Sequence, residues 1–175
     1  MNRLFAVVLA TLVLAVTGCA SVTQDIKVQA ESDPKVSISG YKSYAWLGAA
    51  AIVFDDAGRW EPPQYDVDAE LKFYIDRELR KRGMTESSSN PDLAIAFAAG
   101  IDMDDFEFIK DPDSQLESLQ NIPKGALVIA LVDVRTGDPV WVGVAEGNLK
   151  ENVDIKTSKE RLNYAVTEMF KKLPK

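Results

Sequence analysis

The side chains of this sequence that are able to do chemistry are mostly carboxylates. The chain has 175 residues, with 27 acidic and 20 basic ones, one cysteine and no histidine. The lack of histidine excludes a Ser-His-Asp hydrolase, a Cys-His pair and a histidine-ligated zinc site. The net charge of −7 argues against nucleic acid as a partner, because binding to phosphates begins with a basic patch.

The densest group of carboxylates runs from Asp102 to Asp113. Its members are Asp102, Asp104, Asp105, Glu107, Asp111 and Asp113. Calcium sites collect about six to eight oxygen ligands, but this group lacks the glycine of an EF-hand loop and alternates along a predicted strand. We therefore expect no metal and no cofactor, and we interpret the acids as a solvated strand end that blocks edge pairing.

Paired carboxylates also suit the hydrolysis of cell-wall sugars, which needs no histidine. That chemistry requires two carboxyl groups about 5 to 9.5 Å apart in a groove, with one of them desolvated. The sequence shows many acids and no groove. A Ser-Lys dyad at Ser158 and Lys159 is disfavoured, because adjacent helix residues point in different directions. We expect a protein that is not an enzyme.

The single cysteine, Cys19, ends an apolar segment at the start of the chain. Met1-Asn2-Arg3 forms a basic head, and the apolar run from Leu4 to Val16 follows. This is the shape of a secretory signal peptide, and it is shorter than the roughly 20 apolar residues of a membrane-spanning helix. Residues 16–19, Val-Thr-Gly-Cys, resemble the bacterial lipobox, in which the cysteine is lipidated.

The lipobox predicts the domain organisation and the location. Residues 1–18 form a signal peptide cleaved before Cys19, residues 19–25 form a lipidated tether, and residues 26–175 form a single domain. Two acyl chains suffice for stable anchoring in a membrane. The residue after the cysteine is Ala20 rather than the aspartate that resembles an inner-membrane retention signal, which favours the outer membrane, facing the periplasm.

The remaining chain predicts an α+β fold. Periodicity and turn residues indicate strands at residues 26–30, 41–47, 92–103, 126–134 and 139–147, and helices at residues 66–83 and 157–174. Residues 157–160 fit a capping box, and residues 133–138 are interpreted as a structural turn. Residues 48–64 are predicted to be a long loop. The economical arrangement is an antiparallel sheet of about five strands with two helices packed on one face.

Two features are candidates for binding. Trp60 lies in the predicted loop beside Pro62 and Pro63, and an exposed aromatic there would suit a protein partner. The strand at residues 92–103 carries Ala94, Ala96, Ala98 and Gly100 on one face. These small side chains would leave room for an apolar pocket under a helix.

Four motifs resemble those of a known family. They are residues 41–46 (YKSYAW), 90–95 (NPDLAI), 125–129 (GALVI) with 132–137 (VDVRTG), and 140–143 (VWVG). In this order, behind a lipobox, they resemble the bacterial lipoprotein family called domain of unknown function 4136, over about residues 26–174. The resemblance implies a location and a fold, and no catalytic residues. In that family an arginine usually follows the tryptophan of the last motif; here the residue is Val142, so a function of that arginine would be lost.

Three functions remain open from the sequence. The first is a non-enzymatic lipoprotein of the Gram-negative envelope, anchored in the membrane through Cys19, that binds an envelope protein or another envelope component through residues 48–64. The second is a binder of a lipid-like small molecule in an apolar pocket. The third is a carboxylate-based cell-wall hydrolase.

Overall fold

The fold contains the predicted strands and helices in their predicted order, with three further short strands between them. The computed structural model describes residues 22–104, 106–110, 117–150 and 153–175, with the backbone alone for 106–110 and 117–120. Cys19 and the predicted signal peptide lie outside these residues. The elements are β1 (Lys27–Ser32), a 3₁₀ turn (Ile38–Gly40), β2 (Ser43–Phe54), α1 (Val67–Arg80), β3 (Thr85–Glu86), β4 (Leu93–Asp102), β5 (Phe106–Lys110), β6 (Glu117–Asn121), β7 (Lys124–Asp133), β8 (Pro139–Asn148) and α2 (Ile155–Lys171).

The predicted α+β class is confirmed, with a sheet that is larger and mixed. Within the described residues six strands form one sheet in the order β1-β8-β7-β4-β2-β3, and β5 and β6 form a separate hairpin. Most neighbours are antiparallel, but β2 runs parallel to both β4 and β3. The parallel pair follows from connectivity, because α1 forms the crossover from β2 to β4, as parallel strands require.

The core lies between the two helices and one face of the sheet. Three of the long strands bury alternate residues on this face: Leu93, Ile95 and Phe97 on β4, Leu127, Ile129 and Leu131 on β7, and Trp141 and Ala145 on β8. From the helices, Leu71, Ile75, Leu79, Val166, Met169 and Phe170 complete the same cluster. The predicted apolar stripes are therefore the packed surfaces.

The helix ends agree with the sequence at α1 and differ at α2. The side chain of Asp66 caps α1 by accepting a hydrogen bond from the backbone N–H of Ala69 at 2.9 Å. The capping residue of α2 is Asp154, whose carboxylate accepts from the backbone N–H of Thr157 at 2.9 Å. The predicted capping box at residues 157–160 was therefore wrong, because an acid three residues earlier occupies the capping position.

Strand β2 is longer than predicted. Residues 48–54 continue the strand and pair with residues 96–102 of β4 after a β-bulge between Trp46 and Gly48, so this part of the predicted loop was wrong. Glycine and alanine are depleted in strands, and the run from Gly48 to Ala51 has no alternation of apolar and polar residues. The sequence signal for a strand is therefore weak where the structure has one.

Candidate functional site

The register of the strands places different residues at the two ends of the sheet. At one end of β1, Lys27 pairs with Glu146, and at the other end Ser32 pairs with Trp141. We call the first the anchor end, because the described chain begins there with residues 22–25, and the second the cleft end. The ten residues of β7 separate the two ends by about 30 Å at 3.3 Å per residue.

A polar cleft of about 620 Å³ opens at the cleft end. It lies between the segment that follows β1, the residue Asp92 before β4, and the turn between β7 and β8. Its charged side chains are Asp33, Lys35, Asp92, Asp133, Arg135 and Asp138. The segments that form it are far apart in sequence, so only the assembled sheet brings these charges together.

Asp133 holds the base of the cleft. Its residue is 4% exposed, and its carboxylate accepts hydrogen bonds from the Tyr41 hydroxyl at 2.9 Å, the Arg135 backbone N–H at 2.8 Å and the Arg135 guanidinium at 3.0 Å. The hydrogen bond from the Arg135 side chain, with that from Tyr41, lowers the pKa of Asp133 to about 2. The structural interpretation of residues 133–138 agrees with this network, but nothing in the sequence indicated Tyr41 as its partner.

Asp92 has a similar role on the neighbouring strand. Its carboxylate accepts from the backbone N–H groups of Lys42 at 2.8 Å and Ser43 at 2.9 Å, and from the Ser43 hydroxyl at 2.9 Å. These hydrogen bonds, the one from the Lys42 backbone first, lower the pKa of Asp92. A general acid for glycoside hydrolysis needs a raised pKa, so neither Asp92 nor Asp133 suits that role.

An apolar surface covers the anchor-end half of β2. Of the eight exposed large hydrophobic side chains among the described residues, four belong to this strand: Leu47, Ile52, Val53 and Phe54. Leu47 is 68% and Phe54 64% exposed. We call residues 47–54 the β2 surface. Ile52 and Phe54 lie on the face opposite the helices and Val53 lies on the other face, because successive strand side chains alternate. Exposed apolar side chains grouped in this way mark binding surfaces in soluble proteins.

Among the strands that the structure describes, the β2 surface is also an open sheet edge. On one side residues 48–54 pair with β4, whereas on the other side β3 reaches only Ser43 and Tyr44. Beside it a shallow apolar groove of about 310 Å³ runs over the small side chains of β4 and β7, and Ala96, Ala98 and Ala130 are among those that line it. The helices pack on the opposite face, so the predicted pocket under a helix was wrong; the small residues line an open groove.

Trp60 lies in the segment that follows the β2 surface. The residue is half-buried, and its backbone N–H donates to the Asp55 carboxylate at 2.6 Å. Its neighbour Arg59 donates to the Asn121 side chain at 2.8 Å and forms an ion pair with Asp104. Trp60 is therefore placed beside the β2 surface at the anchor end, and its role as a partner contact stays a prediction.

An ion pair fixes the start of the described chain at the anchor end. Arg161 of α2, whose side chain is 13% exposed, donates to the two carboxylate oxygens of Asp25 at 2.8 and 2.6 Å. Arg161 also binds the Val22 carbonyl and the Asn148 carbonyl. The hydrogen bond from Arg161 lowers the pKa of Asp25. Residues 22–25 of the predicted tether are thus held against the fold.

The acidic cluster and the Ser-Lys pair have ordinary local partners where the structure describes them. Asp102 accepts the backbone N–H of Asp104 at 2.9 Å, while Asp105, Asp111 and Asp113 lie outside the described residues, as does the side chain of Glu107. Among the side chains that are described, no group of three or more metal-ligating residues comes together.

Ser158 and Lys159 do not form a dyad. The Ser158 hydroxyl lies 2.7 Å from the Tyr65 hydroxyl, and the Lys159 amine lies 2.6 Å from the Glu70 carboxylate. The two side chains of α2 therefore point to different partners, as expected for adjacent helix residues.

Comparisons with known proteins identify a family and the fold. The family model named domain of unknown function (DUF4136) matches residues 28–175. A DUF4136 family protein from Bacteroides thetaiotaomicron has 10% identity and a TM-score of 0.52, with 82% of this chain and 95% of that chain covered. A PDZ domain protein from Parabacteroides distasonis has 14% identity and a TM-score of 0.50, and the match covers 91% of this chain and 40% of that one.

A third similar structure is a PelC dodecamer from Paraburkholderia phytofirmans, with 14% identity and a TM-score of 0.48, covering 82% of this chain and 94% of that chain. At these identities the likeness concerns the fold alone. No curated protein matches the chain. No helix among the described residues is long and apolar enough to cross a membrane.

Proposed function

The chain belongs to the DUF4136 family of unknown function, and from that premise we propose that it is a lipid-anchored, non-enzymatic binding protein of the bacterial cell envelope. Its partner is a protein, and the contact is the β2 surface together with the Trp60 segment. Cys19 carries the lipid, and Ala20 after it directs the protein to the outer membrane, facing the periplasm. The proposal rests on the lipobox for the location and on the β2 surface for the binding.

The clustering of exposed apolar side chains on one strand is the observation that carries this function. Single exposed hydrophobic residues are normal on protein surfaces, whereas a contiguous group marks an interaction site. Leu47, Ile52, Val53 and Phe54 lie within eight residues and are all exposed. Trp60 adds an aromatic side chain of the type that dominates interface energetics. The lowered pKa values of Asp92 and Asp133 in the polar cleft favour binding and structure over acid catalysis.

The position of the anchor supports a contact close to the membrane. Arg161 holds the Val22 carbonyl and Asp25 against the fold, and Cys19 precedes Val22 by three residues. Three residues span at most about 10 Å. A lipid on Cys19 would therefore keep the anchor end of the sheet, and the β2 surface with it, near the lipid headgroups.

The test is recovery of partners from envelopes. Tagged full-length protein is purified from detergent-solubilised envelopes, and bound protein and lipid are identified by mass spectrometry. We expect Phe54→Ser and Trp60→Ala each to lower recovery of the partner about tenfold, which corresponds to ~1.4 kcal/mol of binding free energy.

Two further variants control this experiment. Val134→Ser changes an exposed apolar side chain at the cleft end, and it should leave recovery unchanged. Cys19→Ser removes the predicted lipid site and should abolish recovery if binding requires the membrane. Equal recovery with Phe54→Ser, Trp60→Ala and the unaltered chain would contradict the proposed contact.

The apolar groove beside β2 supports a second candidate, a binder of a lipid-like molecule. Its volume of about 310 Å³ is at the lower limit of ligand pockets, which span about 300 to 1,000 Å³. The same experiment separates the two functions. Lipid recovered without protein, with loss of that lipid in Ala98→Leu, would favour the small-molecule binder.

A further inference from the structure

The open edge of β2 suits a particular partner. We infer that a second copy of this chain occupies it, by antiparallel pairing of two β2 strands about a twofold axis at Ala51. This inference rests on the proposed function, since it names the protein that covers the β2 surface. It is carried by three properties of the strand: the direction of its peptide groups, the order of its side-chain sizes and its lack of charge.

The peptide groups of the edge can be assigned from the hydrogen bonds at the two ends of β2. The Tyr44 carbonyl accepts from Ser87 on the β3 side at 2.8 Å, and the Phe54 carbonyl accepts from Met103, which follows β4, at 2.9 Å. The N–H and C=O of a strand residue point to the same side, and successive residues alternate. After the bulge, Ala49, Ala51 and Val53 therefore turn their peptide groups outward, and all three are exposed.

This alternation is compatible with a twofold axis. In an antiparallel pair, two residues that exchange both hydrogen bonds stand directly opposite each other. An axis at Ala51 places Ala51 opposite Ala51 of the other copy and Ala49 opposite Val53. All of these residues direct their peptide groups outward. The N–H groups of one edge can therefore donate to the C=O groups of the other edge along the strand.

Side-chain sizes along the strand are complementary to themselves. Residues 48–51 are Gly-Ala-Ala-Ala, and residues 52–54 are Ile-Val-Phe. Pairing about Ala51 sets Phe54 opposite Gly48, Val53 opposite Ala49 and Ile52 opposite Ala50 of the other copy. Each large side chain thus meets a small one on the same face, and aromatic side chains are known to cover strand glycines. Cross-strand pairs of this kind are the unit of sheet stabilisation.

The charge distribution favours this edge over the other one. Residues 45–54 include no charged side chain in a chain of net charge −7, so two copies can approach here without local repulsion. The opposite edge, β1, carries the exposed Lys27 and Glu31. Charged side chains on edge strands are a common protection against pairing. The protected edge and the unprotected one therefore lie on opposite sides of the same sheet.

The geometry also allows both copies to share one membrane. The twofold axis of an antiparallel strand pair is perpendicular to the sheet, and β1 is four strands away from β2 in the sheet order. Neighbouring strands lie about 4.8 Å apart, so the two β1 strands are well separated, one on each side of the axis. Because the axis relates equivalent residues at equal height above the sheet, both anchors lie on the same face of the joined sheet, and a membrane parallel to that sheet accommodates both.

Thiol cross-linking tests the pairing directly in envelope membranes. In the full chain with Ala51→Cys, the two thiols face each other across a hydrogen-bonded pair whose Cα atoms are about 5.5 Å apart. A short bismaleimide cross-linker should convert most of the protein into a covalent dimer of twice the chain mass. Gln29→Cys, an exposed position on β1, is the matched control and should stay monomeric. The unaltered chain is a second control, because any dimer that it forms must come from Cys19 without a lipid.

Charge exchange tests the same contact without a cysteine. Ala51→Lys and Ala51→Glu each place like charges opposite each other across the axis, so each variant alone should sediment as a monomer in detergent. A mixture of the two should restore the dimer, because the opposite charges then pair. Circular dichroism of each variant checks that the domain remains folded.

The outcomes separate this inference from the function on which it rests. If Ala51→Cys gives no more dimer than Gln29→Cys, or if the charge variants do not restore the dimer on mixing, self-pairing is wrong. The photo-crosslinking residue p-benzoylphenylalanine at position 54 then shows whether a different envelope protein covers the β2 surface. Conjugates with a different envelope protein would leave the proposed function in place with another partner, and the absence of any conjugate would overturn both.

Discussion

At the scale of single residues, Asp133 is a carboxylate whose pKa the surrounding hydrogen bonds lower. The hydroxyl of Tyr41 and the Arg135 side chain both donate to its carboxylate. Its pKa in the fold is about 2, below the ordinary value of 3.8. A lowered pKa contributes stability that is complete above the ordinary value and is lost as the pH falls towards the folded one.

Asp133→Asn should therefore lower the free energy of unfolding at pH 7 and flatten its decline between pH 4 and pH 2, which is the window set by the folded pKa of about 2. Urea unfolding at pH 7, 4 and 2.5 measures both effects. Asp138→Asn, an exposed carboxylate of the same turn, is the control and should behave like the unaltered chain. An unchanged decline in Asp133→Asn would show that other carboxylates cause the acid sensitivity.

Gly143 is a residue whose small size the packing requires. A Cβ at this position would lie 2.5 Å from Cη2 of Trp141 and 3.1 Å from Sδ of Met169. The indole ring of Trp141 therefore packs directly over the backbone of its own strand, next to Phe170 at 5.2 Å between ring centroids.

We expect Gly143→Ala to destabilise the fold by about 1 to 3 kcal/mol, the usual cost of overpacking a core. Gly40→Ala is the matched control, because a Cβ there meets nothing within 4 Å. Thermal unfolding of both variants measures the difference. Equal melting temperatures would mean that the Trp141 ring moves away from Gly143 without cost.

At the scale of elements, a buried carboxylate on α1 lies at the contact with α2. The Glu78 side chain is almost fully buried and accepts from Arg77 and Lys81, both at 2.8 Å. Arg77 in turn donates to Asn163 at 2.7 Å and Thr167 at 2.9 Å on α2. Burial alone would raise the pKa of Glu78, but the hydrogen bonds from Lys81 and Arg77 outweigh it and lower the pKa.

Glu78→Ala should destabilise the protein by about 1 to 3 kcal/mol, the range for hydrogen bonds to a charged group that become unpaired. The exposed ion pair of Lys171 with Glu168 offers the comparison. Glu168→Ala should cost less than about 1 kcal/mol, as surface ion pairs do. Denaturant unfolding measures both, and a cost for Glu78→Ala as small as that for Glu168→Ala would argue against the network as a link between the helices.

At the scale of the whole molecule, the fold brings three sequence-distant parts to the anchor end. Asp25 is bound by Arg161 there, β2 ends there at Phe54, and Trp60 follows. The polar cleft lies at the other end. A lipid on Cys19 would therefore control which part of the protein is near the membrane, and the β2 surface is that part.

Cys19→Ser should move the protein from the membrane fraction to the soluble fraction, because serine lacks the thiol to which the acyl-bearing anchor is attached. Separation of the fractions by ultracentrifugation and immunoblotting measures the change. The variant should keep the circular dichroism of the domain, since the fold from Val22 onward does not include the cysteine. Retention of Cys19→Ser in the membrane fraction would show that the lipid on Cys19 is not the anchor.

The sequence by itself determined the fold class, the main strands and the two helices. Periodic apolar residues define the faces that pack, so β4, β7, β8, α1 and α2 follow from local patterns. The hairpin of β5 and β6 and the two-residue strand β3 were not predicted, because they are short and lack a long alternating pattern. Family membership was also predicted, because the motifs of the family are short local segments of sequence.

Only the tertiary structure decided where the candidate sites lie. The cleft depends on Tyr41, Asp92 and Asp133 meeting from three separate segments, and no local pattern encodes that meeting. Residues 48–54 of the β2 surface were predicted as a loop, because a glycine-alanine run has no periodicity, and only pairing with β4 makes them a strand. Its open edge exists because β3 stops after two residues. Local sequence sets which faces are apolar, whereas strand order and strand length decide which of them remains uncovered.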